Sequence, residues 1–350
     1  MTYLAKPRLH HPSLQKNAVG YTRRDYEGKV STLCAGCGHD SVSAAIVQAC
    51  WQLDIAPHRV AKLSGIGCSS KTPDYFLGAS HGFNTVHGRM PSVLTGANLA
   101  NRELLYLGIS GDGDSASIGL GQFAHAMRRG VAMVYIVENN GVYGLTKGQF
   151  SATADRGSTA KKGATNQDAA IDLVSLALQL GASYVARSFS GDKSQLVPLI
   201  KGAIKHRGAA FIDVISPCVA FNNHAGSTRS YDHVREHNEA LNRIDFIDLA
   251  AEHQAAGDEA LILLPQPDGG QMRLRRLHPD YDPTDRIAAM NQVAALQAAG
   301  EIATGLLFID PQARDMHQGL NTVITPLNRM GEAELCPGAL ALAKINARLR

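Results

Sequence analysis

The sequence predicts a doubly wound α/β fold with a mostly parallel sheet and a C-terminal extension. Short stretches that are apolar nearly throughout alternate with longer stretches of helical periodicity. Strands that are apolar on both faces must be covered on both faces, which is typical of parallel sheets flanked by helices. The predicted strands are Val60–Ile66, Leu104–Ser110, Val131–Val137 and Phe211–Ser216, and the predicted helices are Ser115–Arg129, Asp168–Leu180 and Asp192–His206.

The chain is expected to begin with a polar arm, residues 1–30, ahead of a domain at residues 31–230. From Ser41 onward, apolar residues recur every three or four positions, which predicts an amphipathic helix. Its apolar face consists of Val42, Ala45, Ile46, Ala49 and Leu53.

Beyond residue 230 the pattern changes, and residues 231–350 are expected to form the C-terminal extension. A charged helix is predicted at Tyr231–Asn242, and a loop rich in Gly, Pro, Asp and Arg at Pro265–Pro283. One further strand is predicted at Gly305–Ile309. No motif in this segment indicates chemistry of its own.

Composition and charge exclude several classes of protein. Hydrophobic residues make up 45% and charged residues 19% of the chain, which is ordinary for a globular enzyme. The net charge is only +3 and aromatic residues are 6%, so no nucleic-acid surface is predicted. No stretch reaches the roughly 18 consecutive apolar residues of a membrane span, and no signal peptide is indicated. We therefore expect a cytoplasmic protein that binds neither membranes nor nucleic acid.

Each predicted strand runs directly into an unusual loop. In parallel α/β sheets, ligands bind beyond the carboxyl ends of the strands, so loops on that edge share one site. The loops are Gly67–Lys71, Gly111–Asp114, Glu138–Gly141 and Pro217–Cys218.

Asp112 and Asn140 predict a magnesium site that holds a diphosphate. Gly111-Asp112-Gly113 follows a strand and opens a helix, where backbone N–H groups can bind phosphate. Asn140 follows Asp112 by 28 residues, so that a helix and a strand separate two adjacent strand ends. Carboxylate and amide oxygens are ligands that suit Mg²⁺. The alternative is a tight turn in which Asp112 only caps the helix.

Four of the six cysteines predict a metal or redox site, because the expected compartment keeps thiols reduced. Cys34 and Cys37 form a C-x-x-C pair, while Cys68 and Cys218 each follow a predicted strand. The spacing alone leaves zinc, an iron–sulfur cluster and a redox-active C-x-x-C open.

Three other residues are interpreted as structural. Cys50 lies on the apolar face of the first helix, where a cysteine behaves as a small hydrophobe. Cys336 precedes a proline in the C-terminal tail and has no paired spacing. Glu138, at a strand end, is expected to orient neighbouring groups rather than to act as a catalytic acid.

Several motifs resemble, in order and approximate spacing, those of the beta subunits of 2-oxoacid:ferredoxin oxidoreductases. Gly111-Asp112-Gly113 and Asn139-Asn140 are similar to the thiamine diphosphate motif of that family. The other similar stretches are Leu33–His39, Gly65–Lys71, His87–Arg89, Tyr143–Gln149, Pro217-Cys218 and Arg235–Asn238.

The resemblance implies a fold of the thiamine-diphosphate-binding type and a specific set of ligands. It implies Mg²⁺ binding by Asp112, Asn140 and the carbonyl of Val142, and a 4Fe–4S cluster on Cys34, Cys37, Cys68 and Cys218. His39, with a catalytic role, and Arg89 are expected beside the cofactor. The implied contacts to thiamine diphosphate are Ile66, Gly67, Cys68, Ser69, His87, Gly88, Gly113, Asp114, Gly144 and Leu145.

The implied activity is oxidative decarboxylation of a 2-oxoacid to acyl-coenzyme A, with electrons passing through the cluster to ferredoxin. By their position near the loop edge, Lys71 and Lys147 are assigned to substrate carboxylates, which favours 2-oxoglutarate over pyruvate. The alternative is that both are exposed charges. In the resembling family a separate alpha subunit supplies a glutamate on the pyrimidine side of the cofactor. We therefore expect a heterodimer or a dimer of heterodimers.

Two alternative functions stay open at the level of sequence. A non-redox thiamine diphosphate decarboxylase or synthase would share the magnesium motif, although such chains are normally much longer and do not need the four cysteines. A non-catalytic zinc-binding scaffold would explain the cysteines but not the magnesium motif.

Overall fold

A computed structural model describes residues 11–159, 163–247, 261–278, 280–336 and 338–349. The strands are, in chain order, β1 (Val60–Ser64), β2 (His81–Asn84), β3 (Leu105–Gly111), β4 (Met133–Asn139), β5 (Val142–Tyr143), β6 (Gln149–Phe150), β7 (Tyr184–Phe189), β8 (Ala209–Ile215), β9 (Asn238–Ala240), β10 (Asn242–Ile247), β11 (Leu261–Pro265), β12 (Gln271–Arg276) and β13 (Ile302–Ile309). The helices are α1 (Gly38–Gln52), α2 (Met90–Ala100), α3 (Leu120–Arg128), α4 (Leu173–Gln179), α5 (Lys193–Lys205), α6 (Tyr231–His237), α7 (Arg286–Ala298), α8 (Met316–Leu320), α9 (Glu332–Leu335) and α10 (Gly338–Arg348).

The main sheet has eight strands in the order β2-β1-β3-β4-β8-β7-β13-β9. All neighbouring pairs are parallel except β13 and β7, which are antiparallel. The four strands predicted in the first two thirds of the chain correspond to β1, β3, β4 and β8, with ends that differ by no more than two residues. The predicted fold class is confirmed.

Helices cover both faces of this sheet, as a doubly wound fold requires. Ile46 of α1 and Ile200 of α5 belong to the apolar core on one face. Phe123 of α3, Leu173 of α4 and Val293 of α7 belong to the core on the other. Across the ranges described, no helix combines the length and the apolar character needed to cross a bilayer.

The segment after residue 230 contains more strand than its sequence indicates. The predicted helix Tyr231–Asn242 ends at His237, because the following residues form β9 and pair with β13 of the main sheet. The predicted loop Pro265–Pro283 contains β12, which pairs with β10 and β11. Pairing partners distant in sequence decide both outcomes, and local periodicity does not report them. The division at residue 230 stays a prediction, and the extension contributes two strands to the main sheet.

The segment predicted as a polar arm packs on the core where the structure describes it, from residue 11 onward. Tyr26 is fully buried, and its hydroxyl accepts a hydrogen bond from Asn17 Nδ2 at 2.8 Å. The Gly28 amide donates to the Tyr75 carbonyl at 2.9 Å. The arm therefore braces the segment that follows Cys68.

A buried lysine also holds the segment after Cys68 in place. Lys62 lies in β1, and its ammonium donates to the carbonyls of Pro73, Phe76 and Leu77 at 2.5, 2.5 and 3.0 Å. Burial lowers the pKa of Lys62 to about 8. Three carbonyl acceptors offset the cost of burying this amine and hold the loop after Cys68 against the sheet.

Candidate active site

The loops at the carboxyl ends of β1, β3 and β4 surround an open pocket. Every predicted thiamine diphosphate contact except Gly88 lines it, together with Asp112, Asn140, Val142 and His39. The strand ends therefore bring together loops that lie far apart in sequence. The lining residues that the sequence did not indicate as ligands are Gly111, Glu138, Tyr143 and Thr146.

The loop after β1 needs glycine where it meets the loop after β3. A Cβ on Gly65 would lie 2.0 Å from Asp114 Oδ2, so any side chain there would displace the carboxylate. Gly67 has a φ of +130°, a conformation that other residues rarely adopt. The Gly-x-Gly-Cys stretch is therefore explained by close approach and backbone geometry.

Asp112 is buried, and only one of its oxygens is held by hydroxyl groups. Oδ2 accepts hydrogen bonds from Ser151 Oγ and from Thr153 Oγ1, the latter at 2.7 Å. Oδ1 faces the Asn140 amide at 3.4 Å. Burial raises the pKa of Asp112, and the two hydroxyl donors oppose that rise. Oδ1 is thus the oxygen most available to a cation.

The sequence did not indicate Ser151 and Thr153, although they hold Asp112 in place. They lie 39 and 41 residues after it, beyond the two-stranded ribbon of β5 and β6. The only feature of the sequence that could have indicated them is their position just after the stretch Tyr143–Gln149, which resembles the family.

His39 orients Asn140 rather than presenting a free ring nitrogen to the pocket. Its Nδ1 lies 2.6 Å from Ser216 Oγ, and its Nε2 lies 3.4 Å from Asn140 Nδ2. An amide nitrogen only donates, so Nε2 accepts and Nδ1 carries the proton. Burial lowers the pKa of His39 to about 4, so the ring is neutral at pH 7. These contacts position Asn140, and a catalytic role for His39 stays a prediction.

Asp114 links two loops of the pocket. Its Oδ1 accepts from the Gly88 amide at 2.7 Å and contacts His87 Nδ1, and its Oδ2 accepts from Ser110 Oγ at 2.7 Å. Both oxygens are therefore engaged within the protein. Gly88, predicted as a cofactor contact, instead uses its amide to fix Asp114.

Glu138 is a buried carboxyl group at the floor of the pocket. Within the described part of the chain, neither of its oxygens has a hydrogen-bond partner, and His39 Nδ1 is 3.6 Å from Oε2. Burial, and after it the negative charge of Asp40, raises the pKa of Glu138 well above its usual range. The Thr72 side chain opposes this rise in pKa, and the orienting role of Glu138 stays a prediction. A buried, unpartnered acid is suited to face a bound polar group.

Three of the proposed cluster cysteines come close together beside this pocket. A Cβ on Gly144 would lie 3.5 Å from Cys68 Sγ and 3.6 Å from Cys218 Sγ, so the glycine leaves a space between the two sulfurs. Burial raises the pKa of Cys37 to about 12, and the nearby Cys218 adds to that rise. The Gly38 amide donates to the Pro217 carbonyl at 3.3 Å, which ties the two cysteine loops together.

Among the residues that the structure describes, no three His, Cys, Asp or Glu side chains are placed to hold one metal ion. Cys34 is exposed and Cys37, Cys68 and Cys218 are partly buried. Cys50 is buried in the core and Cys336 is exposed, and both are free thiols.

Three predicted basic residues lie outside the pocket lining. Lys71 and Lys147 are exposed, each close in sequence to residues that line the pocket. Lys147 has a φ of +79°, an uncommon conformation for a residue with a side chain. Arg89 donates from Nη1 to Gln122 Oε1 at 3.0 Å and so contacts α3, and its place beside the cofactor stays a prediction.

Comparison with known proteins agrees with this geometry. Residues 65–214 match the thiamine pyrophosphate enzyme family, in its C-terminal TPP binding domain. The 2-oxoacid:ferredoxin oxidoreductase subunit beta of a Sulfolobus species is 44% identical over 191 residues, 54% of this chain and 63% of that one. The 2-oxoglutarate synthase subunit KorB of Methanocaldococcus jannaschii is 37% identical over 214 residues, 60% of this chain and 75% of that one.

A solved structure extends the similarity over nearly the whole chain. It is described as 2-oxoglutarate:ferredoxin oxidoreductase from Magnetococcus marinus with 2-oxoglutarate, coenzyme A and succinyl-CoA bound. The TM-score is 0.73 at 30% identity, covering 94% of this chain and 98% of that chain.

The fold and the pocket define a thiamine-diphosphate-binding domain. The chain belongs to the family of 2-oxoacid:ferredoxin oxidoreductase beta subunits. The match spans 63% of the length of the Sulfolobus relative.

Proposed function

We propose that this chain works with an alpha subunit in coenzyme A-dependent oxidative decarboxylation of a 2-oxoacid, with electrons leaving through a 4Fe–4S cluster to ferredoxin. The observation that carries the proposal is the position of Cys68. It lines the pocket that contains Asp112 and Asn140, and its sulfur also faces Cys218 across Gly144. One loop thus joins the cofactor pocket to the cysteine cluster.

The pocket residues fit Mg²⁺ and a diphosphate. Asp112 Oδ1 is free of hydroxyl donors, and the Asn140 side chain and the Val142 carbonyl complete the proposed set of oxygen ligands. When bound, thiamine diphosphate supplies the carbanion that attacks the keto carbon and the electron sink for decarboxylation. Neutral His39 holds Asn140, while Glu138 is a proton-holding group within the same pocket.

The cysteines fit an iron–sulfur cluster better than a zinc ion. A structural zinc site needs four ligands about 2.3 Å from one point, whereas these side chains do not converge. A cluster places its thiolate ligands around a larger body, and the space that Gly144 leaves beside Cys68 and Cys218 suits it. Because burial raises the pKa of Cys37 and Cys68, cluster insertion should release protons.

Serine substitutions should identify the cluster ligands. We expect Cys34→Ser, Cys37→Ser, Cys68→Ser and Cys218→Ser each to lose most bound iron and the oxidoreductase activity, because a hydroxyl is a poor ligand for iron in a cluster. Cys50→Ala and Cys336→Ala are the controls and should keep both. Iron and sulfide counts after anaerobic purification provide the measurement. Iron retained in Cys218→Ser but lost in Cys50→Ala would contradict the assignment.

We propose that 2-oxoglutarate is preferred over pyruvate, with Lys147 as a partner for the second carboxylate. The exposed lysine beside Thr146 of the pocket and its unusual backbone conformation support this role. Lys147→Ala should reduce kcat/KM for 2-oxoglutarate about tenfold more than for pyruvate, since a hydrogen bond to a charged group is worth roughly 1.5–3 kcal/mol. Lys71→Ala tests the second lysine, and Lys193→Ala on α5 is the exposed control. Equal losses with both oxoacids would contradict the preference.

The rim of the pocket is suited to contact with the proposed alpha subunit. Ile66 and Leu145 line the pocket yet are 42% and 49% exposed. Val86, next to His87, is 70% exposed, and Ile118, whose backbone contacts Gly88, is 44% exposed. Exposed apolar side chains gathered around a pocket are typical of a surface that a partner covers.

The two alternative functions predict different spectra and different assays. A cluster protein purified without oxygen should absorb broadly in the visible range, with about four iron and four sulfide per chain. The assembled enzyme should then reduce ferredoxin or a viologen dye only when a 2-oxoacid and coenzyme A are both present. A colourless chain with one zinc would favour the scaffold, and decarboxylation without dye reduction would favour the non-redox enzyme.

A further inference from the structure

Hydrogen bonds connect Asp112 to the ion pair that Arg187 and Asp213 form within the sheet. Thr153 Oγ1 lies 2.7 Å from Asp112 Oδ2 and 3.0 Å from Asn139 Oδ1, so its one hydroxyl hydrogen is shared between these two acceptors. Asn139 Nδ2 donates to Asp213 Oδ1 at 3.0 Å. Arg187 Nε donates to Asp213 Oδ2 at 2.9 Å. The connection thus runs from the loop after β3, through the last residue of β4, to β8 and β7.

Asp213 and Arg187, the charged groups at the inner end of this network, set the donor and acceptor directions of its hydrogen bonds. The buried Asp213 carboxylate only accepts and Arg187 only donates. The Asn139 amide must therefore point its NH2 group at Asp213 and its Oδ1 at Thr153. The Arg187–Asp213 pair thereby determines the orientation of the first asparagine of the Asn-Asn motif, which is not among the proposed magnesium ligands.

The inner end is anchored to helix α4. Arg187 Nη2 also donates to Asp172, which caps α4 by accepting from the Val174 and Ser175 amides at 3.3 Å each. Burial alone would raise the pKa of Asp172, but the Arg187 charge and the hydrogen bonds to Ser175 and Val174 lower it. Asp172 and Asp213 thus hold one guanidinium between two elements of the fold.

The outer end of the network fixes the carboxylate of Asp112. With Ser151 and Thr153 both against Oδ2, rotation of the buried Asp112 carboxylate would break two hydrogen bonds. Partners of this kind set the orientation of a ligating carboxylate and commonly change metal affinity about 10–100-fold when they are removed.

We propose that Asn139 and Thr153 are positioning residues for Mg²⁺, and that they transmit the fixed geometry of the Arg187–Asp213 pair to the Oδ1 oxygen of Asp112. This inference rests on the proposed Mg²⁺ site at Asp112 and Asn140. It assigns the two asparagines of the motif different tasks. Asn140 would bind the metal, while Asn139, together with Thr153, would hold the Asp112 carboxylate in place.

Two pairs of variants test the proposal in the full chain assembled with its alpha subunit. Thr153→Val removes the hydroxyl at nearly constant volume, and Thr153→Ser restores it. Asn139→Ala breaks the connection to Asp213, and Asn242→Ala is the matched control. Asn242 is equally buried and bonds the Leu306 backbone with both ends of its amide, far from the pocket.

The measurement is the Mg²⁺ concentration that half-saturates thiamine diphosphate binding, followed by calorimetry, with thermal unfolding recorded for each variant. We expect Thr153→Val and Asn139→Ala to raise this Mg²⁺ concentration at least tenfold, and Thr153→Ser to raise it by less than threefold. Asn242→Ala should lower thermal stability without changing the Mg²⁺ concentration. At saturating Mg²⁺, kcat should return towards the unsubstituted value.

The possible results separate this inference from the proposed function. Unchanged Mg²⁺ dependence in Thr153→Val and Asn139→Ala would overturn the positioning role while leaving the metal site intact. An equal change in Asn242→Ala would overturn it by showing a general effect of lower stability. Absence of Mg²⁺-dependent binding in the unsubstituted protein would overturn the metal site itself, and with it this inference.

Discussion

Replacing Asp112 by alanine is expected to abolish Mg²⁺-dependent binding of thiamine diphosphate. The substitution removes the one carboxylate among the proposed ligands, and the remaining amide and carbonyl oxygens carry no charge to offset that of the cation. A loss of at least about 100-fold in affinity corresponds to roughly 2.7 kcal/mol. Calorimetric titration of thiamine diphosphate at fixed Mg²⁺ measures it, together with 2-oxoacid-dependent dye reduction, which should be lost.

Asp112→Asn separates the loss of charge from damage to the loop. Asparagine keeps an oxygen that Ser151 and Thr153 can donate to, so this variant should retain the thermal stability of the unsubstituted chain. It should nevertheless bind the cofactor almost as poorly as Asp112→Ala. Both variants should keep their iron, because the cysteines do not contact Asp112 in the structure. An unchanged cofactor affinity in either variant would exclude Asp112 as the metal ligand.

The sequence predicted the position of the site because that position depends on strand order alone. β1, β3, β4 and β8 are apolar nearly throughout, so their limits follow from composition. Each ends in polar or cysteine-containing residues, and parallel strands must bring those ends to one edge. Knowledge of the strands was therefore sufficient to place Asp112 near Asn140.

The sequence could not predict contacts that depend on side-chain partners distant along the chain. β7 was missed because Arg187 and Ser188 interrupt its apolar pattern, and Arg187 is tolerated there only because Asp172 and Asp213 pair with its charge. The hydroxyl groups that donate to Asp112 were missed for the same reason, since no periodicity links Thr153 to a residue 41 positions earlier. Polar residues inside a fold are specified by their partners, whereas apolar strands are specified by their own composition.

The same distinction explains why the sequence alone does not determine the functions of the basic residues. A lysine or arginine at a loop edge can face a ligand, a neighbouring helix or solvent. The sequence around it does not distinguish these three cases. Arg89 contacts Gln122 of α3, while Lys71 and Lys147 are exposed beside the pocket. Only the direction of the side chain distinguishes these roles.

The isolated chain is expected to be catalytically silent even when it carries its cluster, Mg²⁺ and thiamine diphosphate. In the part of the chain that the structure describes, Glu138 is the one glutamate that lines the pocket, and it lies on β4, which ends one residue before the proposed metal ligand Asn140. It is therefore placed towards the diphosphate end of the site. The apolar rim around Ile66, Val86, Ile118 and Leu145 leaves the other side of the pocket open, where the alpha subunit would supply a glutamate to the pyrimidine ring.

Missing acid–base chemistry alone costs about 10²–10⁴-fold in rate, and an open pocket adds to that loss by admitting water. We therefore expect no measurable 2-oxoacid-dependent reduction of ferredoxin or viologen by the chain alone, and restoration when the alpha subunit is added. Leu145→Asp and Val86→Asp, on the rim, should weaken this restoration by hindering assembly, whereas Leu340→Asp on the exposed face of α10 serves as the comparison. Full turnover by the isolated chain would mean that these 350 residues contain the whole catalytic apparatus, and the two-chain proposal would then be wrong.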